Sequence, residues 1–434
     1  MKYYSTNGDK HPASLEEAVI RGLAPNGGLY MPERIENLPV EFTDKLGEMS
    51  RKEIGCTVGR AFFGEDLPEE VIEKIVGETL SFEIPLVKVE ERIYSLELFH
   101  GPTLAFKDVG ARFMARLLGY FTVKKEIKEV HVLVATSGDT GSAVANGFLG
   151  VEGIRVHVLY PKGKVSAIQE CQFTTLGKNI TALEVDGVFD DCQRLVKAAF
   201  SDKSLTDRMR LTSANSINIA RLLPQSFYYF TGLGELERMT GERGKVVIAV
   251  PSGNFGNLTA GLVAHKMGLP VSRFIAANNR NDVFLEYLQT GKYIPRPSVA
   301  TLANAMDVGD PSNFARILAL YNRSHAAITN LISGYRYDDV SISTVISDVC
   351  SRIGYTLDPH GACGYLSLTE SLRDGERGIF FETAHPAKFK DTVDCFIPGG
   401  VKIPDTLQAF MKGKKQSVAL SAEYNDFKDY LLSL

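Results

Sequence analysis

The chain of 434 residues carries 48 Lys and Arg against 52 Asp and Glu, a formal net charge of −4. That near balance gives no electrostatic case for nucleic acid or an anionic membrane as partner, and leaves small molecules as the expected ones. The length accommodates about three domains, or one large α/β body with an appendage.

The opening MKYYSTNGDKH lacks the apolar stretch of a secretory leader, and no apolar run approaches the length of a membrane span. A soluble, cytoplasmic protein is expected. Six cysteines (Cys56, Cys171, Cys192, Cys350, Cys363, Cys395) are scattered without a C-x-x-C pair. This argues against a zinc cluster and fits reduced thiols, so no metal site is expected.

Residues 1 to 95 read as an α-rich segment, with short amphipathic helices in SLEEAVIRGL and PEEVIEKIVGETL around the turn-rich GLAPNGGLYMP. No catalytic cluster is evident there. In GPTLAFKDVG (101–110), Lys107 stands between the apolar Leu104, Ala105 and Phe106 and a run whose Val109, Phe113, Met114, Leu117, Leu118 and Phe121 recur at helical spacing. Asp108 reads as the N-cap and Lys107 as the last residue before the helix. Apolar neighbours and the positive end of a helix both disfavour an ammonium, which marks Lys107 as a candidate nucleophile. The alternative is a surface lysine paired with Asp108 or Glu97.

From residue 130 onward, apolar strand-like runs alternate with helical patterns, as in parallel βαβ units. VHVLVAT (130–136) leads into SGDTG, followed by IRVHVLYP (154–161), ITALEVDG (180–187), KVVIAV (245–250) leading into PSGNFGN, RFIAANN (273–279) and GIFFETAHP (378–386), the last clear strand. The fold class expected is α/β, with doubly wound, mostly parallel sheets in two lobes and ligands at the carboxyl ends of strands. A smaller lobe, about residues 120–215, would be inserted into a larger one within a catalytic region 96–434. KGKK (412–415) reads as a solvated helix boundary.

PSGNFGN is the best anion site in the sequence. Gly253 and Gly256 permit a tight turn with converging N–H groups at a helix N-terminus. It is neither a Walker loop nor G-x-G-x-x-G. Taken alone, an ordinary βα turn capped by Asn257 explains it as well. Ser137 and Thr140 in SGDTG offer groups for a carboxylate, or a capping turn. Asn215, Ser216 and Arg221 in NSINIAR offer an anion fork, or a helix cap beside a surface arginine. Thr383 in TAHPAKF stands at a strand end, either in a cleft or satisfied by backbone.

Together these residues resemble the threonine synthase family, in the tryptophan-synthase-β-like (fold type II) group of pyridoxal-phosphate enzymes. P-T-x-x-F-K-D, S-G-D-T-G, G-N-F-G-N and T-A-H-P-A-K-F agree in order and spacing, and the opening N-G-x-x-x-x-x-S-L-E-E-A-V with GLAPNGGLYMP extends the likeness to the full chain. The resemblance implies conversion of O-phospho-L-homoserine and water to L-threonine and phosphate with pyridoxal 5'-phosphate as cofactor. Lys107 falls on the Schiff-base lysine, and Gly253, Asn254, Phe255, Gly256 and Asn257 on the cofactor-phosphate loop. Thr383 falls where a hydroxyl faces the pyridine nitrogen. Asn215, Ser216 and Arg221 match N-S-x-N-x-x-R, which helps to hold the substrate phosphate. Asp139 replaces the asparagine usual in relatives with a shorter amino-terminal segment, so its contact with the cofactor's phenolic oxygen requires a shared proton. A serine or threonine dehydratase of the same fold, or a phospholyase or metabolite-binding relative, are the competing readings. Oligomeric state is not legible.

Overall fold

The computed structural model describes residues 1–8 and 11–434. The chain forms two compact units. One comprises residues 31–106 and 222–402 together with Met1, the other residues 2–30, 107–221 and 403–434.

The second unit is built on a five-stranded parallel sheet. Its spatial order is Val418–Ser421, Ile180–Asp186, Ile154–Pro161, Val130–Ala135, Leu211–Ser213. Every residue of Val130–Ala135 is buried, as is all but Arg155 in Ile154–Pro161. Burial on both faces explains why these strands read as continuous apolar runs. The chain runs outward from Val130–Ala135 in one direction, then returns to its other side at Leu211–Ser213, placing a topological switch point between those two strands. Helix Leu15–Arg21 belongs to this unit. Its start is fixed by a Ser14/Glu17 capping box, and Leu15, Ala18 and Val19 are buried. The Val19 carbonyl accepts from Asn218 Nδ2 (3.0 Å) and Thr212 Oγ1 (3.2 Å), tying the amino-terminal helix to strand Leu211–Ser213 and the segment after it.

The carboxyl-terminal tail corrects the sequence reading. Strand Val418–Ser421 joins the sheet beside Ile180–Asp186, and helix Tyr424–Leu432 buries Phe427 and Leu431 in the same core as Leu183 and Leu195. Lys415 is ion-paired to Glu170 (2.5 Å) and Glu184 (2.7 Å), so KGKK is not merely solvated. A four-residue edge strand is too short to show a period of its own.

The first unit holds a six-stranded sheet ordered Ile332–Arg336, Arg273–Asn278, Lys245–Pro251, Glu376–Glu382, Ile93–Glu97, Leu86–Lys88. All pairs are parallel except Leu86–Lys88 with Ile93–Glu97. Its switch point lies between Lys245–Pro251 and Glu376–Glu382. Both expected ligand loops of this unit, PSGNFGN and the segment starting at Thr383, leave the carboxyl ends of those two strands. No helix among the described residues is long and apolar enough to cross a membrane.

Candidate active site

In the first unit, the loop after Lys245–Pro251 feeds helix Gly256–Lys266. Phe255 occupies the left-handed region (φ 59°), a conformation that costs a non-glycine residue about 1–2 kcal/mol and that concentrates at functional sites. Its ring is held against Phe284, with centroids 4.5 Å apart. A Cβ at Gly253 would lie 2.7 Å from Met306 Cα and 2.9 Å from the Ala305 carbonyl oxygen, so only glycine fits. Asn257 lies inside the first helical turn, with Phe255 at the cap position; the expected capping role of Asn257 is thereby corrected. Tyr229 donates its hydroxyl to the Asn257 backbone oxygen (2.8 Å) and Oδ1 (3.1 Å). The Asn257 side-chain N–H₂ is left buried without a hydrogen-bond partner among the described residues. A buried, unsatisfied donor beside the free N–H groups of a helix start is the chemistry an anion completes. Asn254 is braced from outside the loop. Its Oδ1 accepts from the Ser312 N–H (2.6 Å), and its carbonyl from Asn313 Nδ2 (3.0 Å). Arg316 donates to Asn313 Oδ1 (2.8 Å) and is fully buried, which brings its guanidinium down to about 9.

Thr383 follows the neighbouring strand and is 7% exposed. Its carbonyl accepts from the Phe106 N–H (2.9 Å), and the His385 N–H donates to Leu104 (3.0 Å), so segment 104–106 lies antiparallel to 383–385. Burial drives the His385 imidazole down to about 4, leaving it neutral. Tyr228 donates to the Phe106 carbonyl oxygen (2.6 Å), fixing the peptide that leads into Lys107. Lys388 Nζ donates to the Thr103 carbonyl oxygen (2.8 Å).

Lys107 opens the second unit, and here the sequence reading is corrected by one residue: helix Lys107–Lys124 contains both Lys107 and Asp108. Asp108 is buried within the first turn, where the helix dipole favours a carboxylate. In the same unit, Ser137 and Gly138 form the turn after Val130–Ala135, and Asp139 and Thr140 begin helix Asp139–Phe148. Thr136 Oγ1 accepts from the Gly138 N–H (2.9 Å) and Gly141 N–H (2.8 Å), so Thr136 organises the turn. Asp139 is buried and accepts from Gln169 Nε2 (2.9 Å).

Asn215 follows the adjacent strand across the switch point, and its Nδ2 donates to the Ala135 carbonyl oxygen (3.0 Å), bringing it to the SGDTG turn. Ser216 lies in the turn that Asn218 closes by donating to Asn215. Arg221 is not a surface arginine. It is 2% exposed, and its Nη1 donates to the Ala214 carbonyl oxygen. The structure thus gathers Gly253–Asn257 with Thr383 at one switch point, and Ser137, Asp139 and Thr140 with Asn215 and Arg221 at the other.

Sequence reasoning passed over Tyr228, Tyr229, Arg316 and Thr136, which hold these groups in place. Only Thr136 sat beside a recognised motif.

Among known families, a pyridoxal-phosphate dependent enzyme model matches residues 73–379, and a threonine synthase N terminus model matches residues 2–80. The chain is 43% identical to threonine synthase of Haemophilus influenzae over 435 residues, and 41% identical to that of Serratia marcescens over 434; both alignments cover all of each chain. Among solved structures, threonine synthase from Escherichia coli is 41% identical with a TM-score of 0.93, covering 100% of both chains. The pyridoxal-phosphate-bound threonine synthase from Brucella melitensis is 34% identical with a TM-score of 0.92, covering 99% of this chain and 98% of that one.

Proposed function

We propose that this chain, which belongs to the threonine synthase family of pyridoxal-phosphate-dependent enzymes, converts O-phospho-L-homoserine and water to L-threonine and phosphate. The cofactor fits the residues present. The Gly253–Asn257 loop, with its glycine-only position and the unsatisfied Asn257 amide, would take the phosphate, and Thr383 would offer a hydroxyl to the ring nitrogen. When bound, pyridoxal phosphate supplies the electron sink for carbanions at Cα and Cβ, which no side chain can provide.

The chain's own groups do the rest. Lys107 would hold the cofactor, and its amine would move protons at Cα and Cβ of the substrate. Asp139, which accepts from Gln169, would meet the cofactor's phenolic oxygen only through a shared proton, while Ser137 and Thr140 would hold the substrate carboxylate. Asn215, Ser216 and Arg221 hold the phosphate that leaves from Cγ before water adds at Cβ. The unit formed by residues 2–30, 107–221 and 403–434, which contains the expected smaller lobe of about 120–215, would supply these substrate contacts. Near-balanced charge supports a small-molecule partner over a polyanion, and six free thiols support a reducing, cytoplasmic setting.

What favours this reaction over a dehydratase is a second candidate anion site in the stretch Asn215–Arg221, where Asn215 is tied to Ala135 and Arg221 to Ala214. A dehydratase has no leaving phosphate to hold. Charge-assisted bonds to phosphate contribute about 1.5–3 kcal/mol each, so Arg221→Leu is expected to lower kcat/KM for phosphohomoserine by at least about tenfold. Cofactor absorbance should persist, because another loop holds the cofactor phosphate. Incubating wild type and variant with phosphohomoserine, and with free serine as control, checks this. Equal yields of phosphate and threonine from wild type, sharply reduced in the variant, are expected. Keto acid without threonine would assign the chain to the dehydratases.

A further inference from the structure

A buried acidic cluster begins at the residue before Thr383. Glu382 ends strand Glu376–Glu382 and, like Asp358, is 0% exposed; His360 is 3% exposed. The Asp358 N–H donates to Glu382 Oε1 (2.7 Å). His360 donates twice to Asp358 Oδ1, from its backbone N–H (2.7 Å) and from Nδ1 (2.5 Å). The Ala305 N–H donates to His360 Nε2 (3.2 Å), which assigns Nε2 as the unprotonated nitrogen and the ring as neutral. The histidine therefore brings no positive charge to the two acids. Asp358 Oδ2 and Glu382 Oε2 are both buried with no hydrogen-bond donor among the described residues.

Two ionised carboxylates here would carry two buried charges and two orphaned oxygens, a costly arrangement. One proton removes a charge and lets one carboxyl donate to the other, since the two side chains are in hydrogen-bond contact. We propose that Glu382 and Asp358 hold one proton between them, resident on Glu382 at neutral pH, and that the resulting Glu382–Asp358–His360 array positions Thr383. Burial first, and then the Asp358 charge, push the Glu382 carboxyl well above its ordinary range. The other titratable groups acting on the array are Glu97, Tyr355, His385, Cys363 and Asp307, and the Glu97 charge raises Glu382 further.

Two further features suit this role. A Cβ at residue 361 would lie 1.4 Å from Glu382 Oε2, so the space for this carboxyl exists because Gly361 has no side chain. At its other end the array bonds Ala305, whose carbonyl oxygen lies against Gly253. It thus links the strand end that carries Thr383 to the segment on which the phosphate loop rests. A neutral Glu382 also keeps negative charge away from the neighbouring Thr383 hydroxyl, so that the ring nitrogen is not drawn into protonation. The positioning part rests on the proposed role of Thr383; the shared proton does not.

Infrared difference spectra of the holoenzyme at about pH 8 test the proton directly, since exposed carboxyls are ionised there. Expected is the carbonyl stretch of a protonated acid, lowered in D₂O and absent from Glu382→Gln. No such band in wild type, or a band unchanged in the variant, overturns the proposal. Positioning is read from the dissociation constant for pyridoxal phosphate and the absorbance of the bound cofactor against pH. Glu382→Gln, an uncharged mimic of the protonated acid, should bind within about threefold of wild type, and Asp358→Asn, which removes the carboxylate that accepts from both Glu382 and His360, should bind at least about tenfold more weakly with a pH-dependent spectrum. Equal weakening in both variants, or in neither, overturns the positioning role. Threonine formation by wild type is scored separately, so failure of the proposed reaction would be recognised apart from failure of the array.

Discussion

Replacing Lys107 with alanine is expected to lower kcat/KM for threonine formation by at least about a thousandfold, roughly 4 kcal/mol of transition-state stabilisation. Two proposed contributions combine: a positioned proton shuttle is worth about 10²–10⁴ in rate, and the amine would also anchor the cofactor. The fold should persist. Helix Lys107–Lys124 is secured by buried Val109, Phe113, Met114, Leu117, Leu118 and Phe121, and the preceding peptide by Tyr228, none of which the substitution touches. Steady-state assays beside circular dichroism check both halves. Activity within tenfold of wild type would remove Lys107 from the chemistry.

The second large effect concerns stability in acid. His157 is 1% exposed in the parallel sheet of the second unit, with Nε2 3.1 Å from His131 Nδ1 and Nδ1 2.9 Å from the Tyr430 hydroxyl. Burial first, then the charges of His131 and Arg155, bring it from 6.5 to about 3. His131 is lowered too, chiefly by burial, with Glu129 opposing. The folded chain thus keeps His157 neutral while the unfolded chain takes up a proton below pH 6.5. The stabilisation is complete above pH 6.5 and is lost as the pH falls toward 3, by about 1.4 kcal/mol per pH unit, or roughly 3 kcal/mol at about pH 4. His157→Gln, which can retain a hydrogen bond to Tyr430, should lose correspondingly less over that interval. Urea unfolding at about pH 7 and about pH 4 checks it; equal acid losses in both proteins would contradict the linkage.

The parallel strands were legible because burial on both faces leaves apolar runs such as IRVHVLYP, whose bounds, 154–161, the structure reproduces. The candidate ligand loops stood out because glycine has a necessary job in them, as at Gly253, where a Cβ would meet the Met306 backbone. What escaped was set by tertiary packing. Whether Lys107 precedes its helix or opens it depends on backbone hydrogen bonding that local pattern does not fix. Arg221 reads as a surface residue by type, yet is drawn inside by the Ala214 carbonyl. Asp358, His360 and Glu382 are separated in sequence and converge only when the helix starting at Pro359 packs beside strand Glu376–Glu382. The Asp-Pro opening of that helix signals a cap, and nothing in it signals a partner twenty-four residues on.

Reduction of the purified, coloured protein with borohydride, followed by peptide mapping, tests most directly that this chain is a pyridoxal-phosphate enzyme working through Lys107. The account predicts one pyridoxyl group per chain, on the peptide that contains Lys107. Recovery of the group on a different lysine, or no covalent cofactor after reduction, would contradict it.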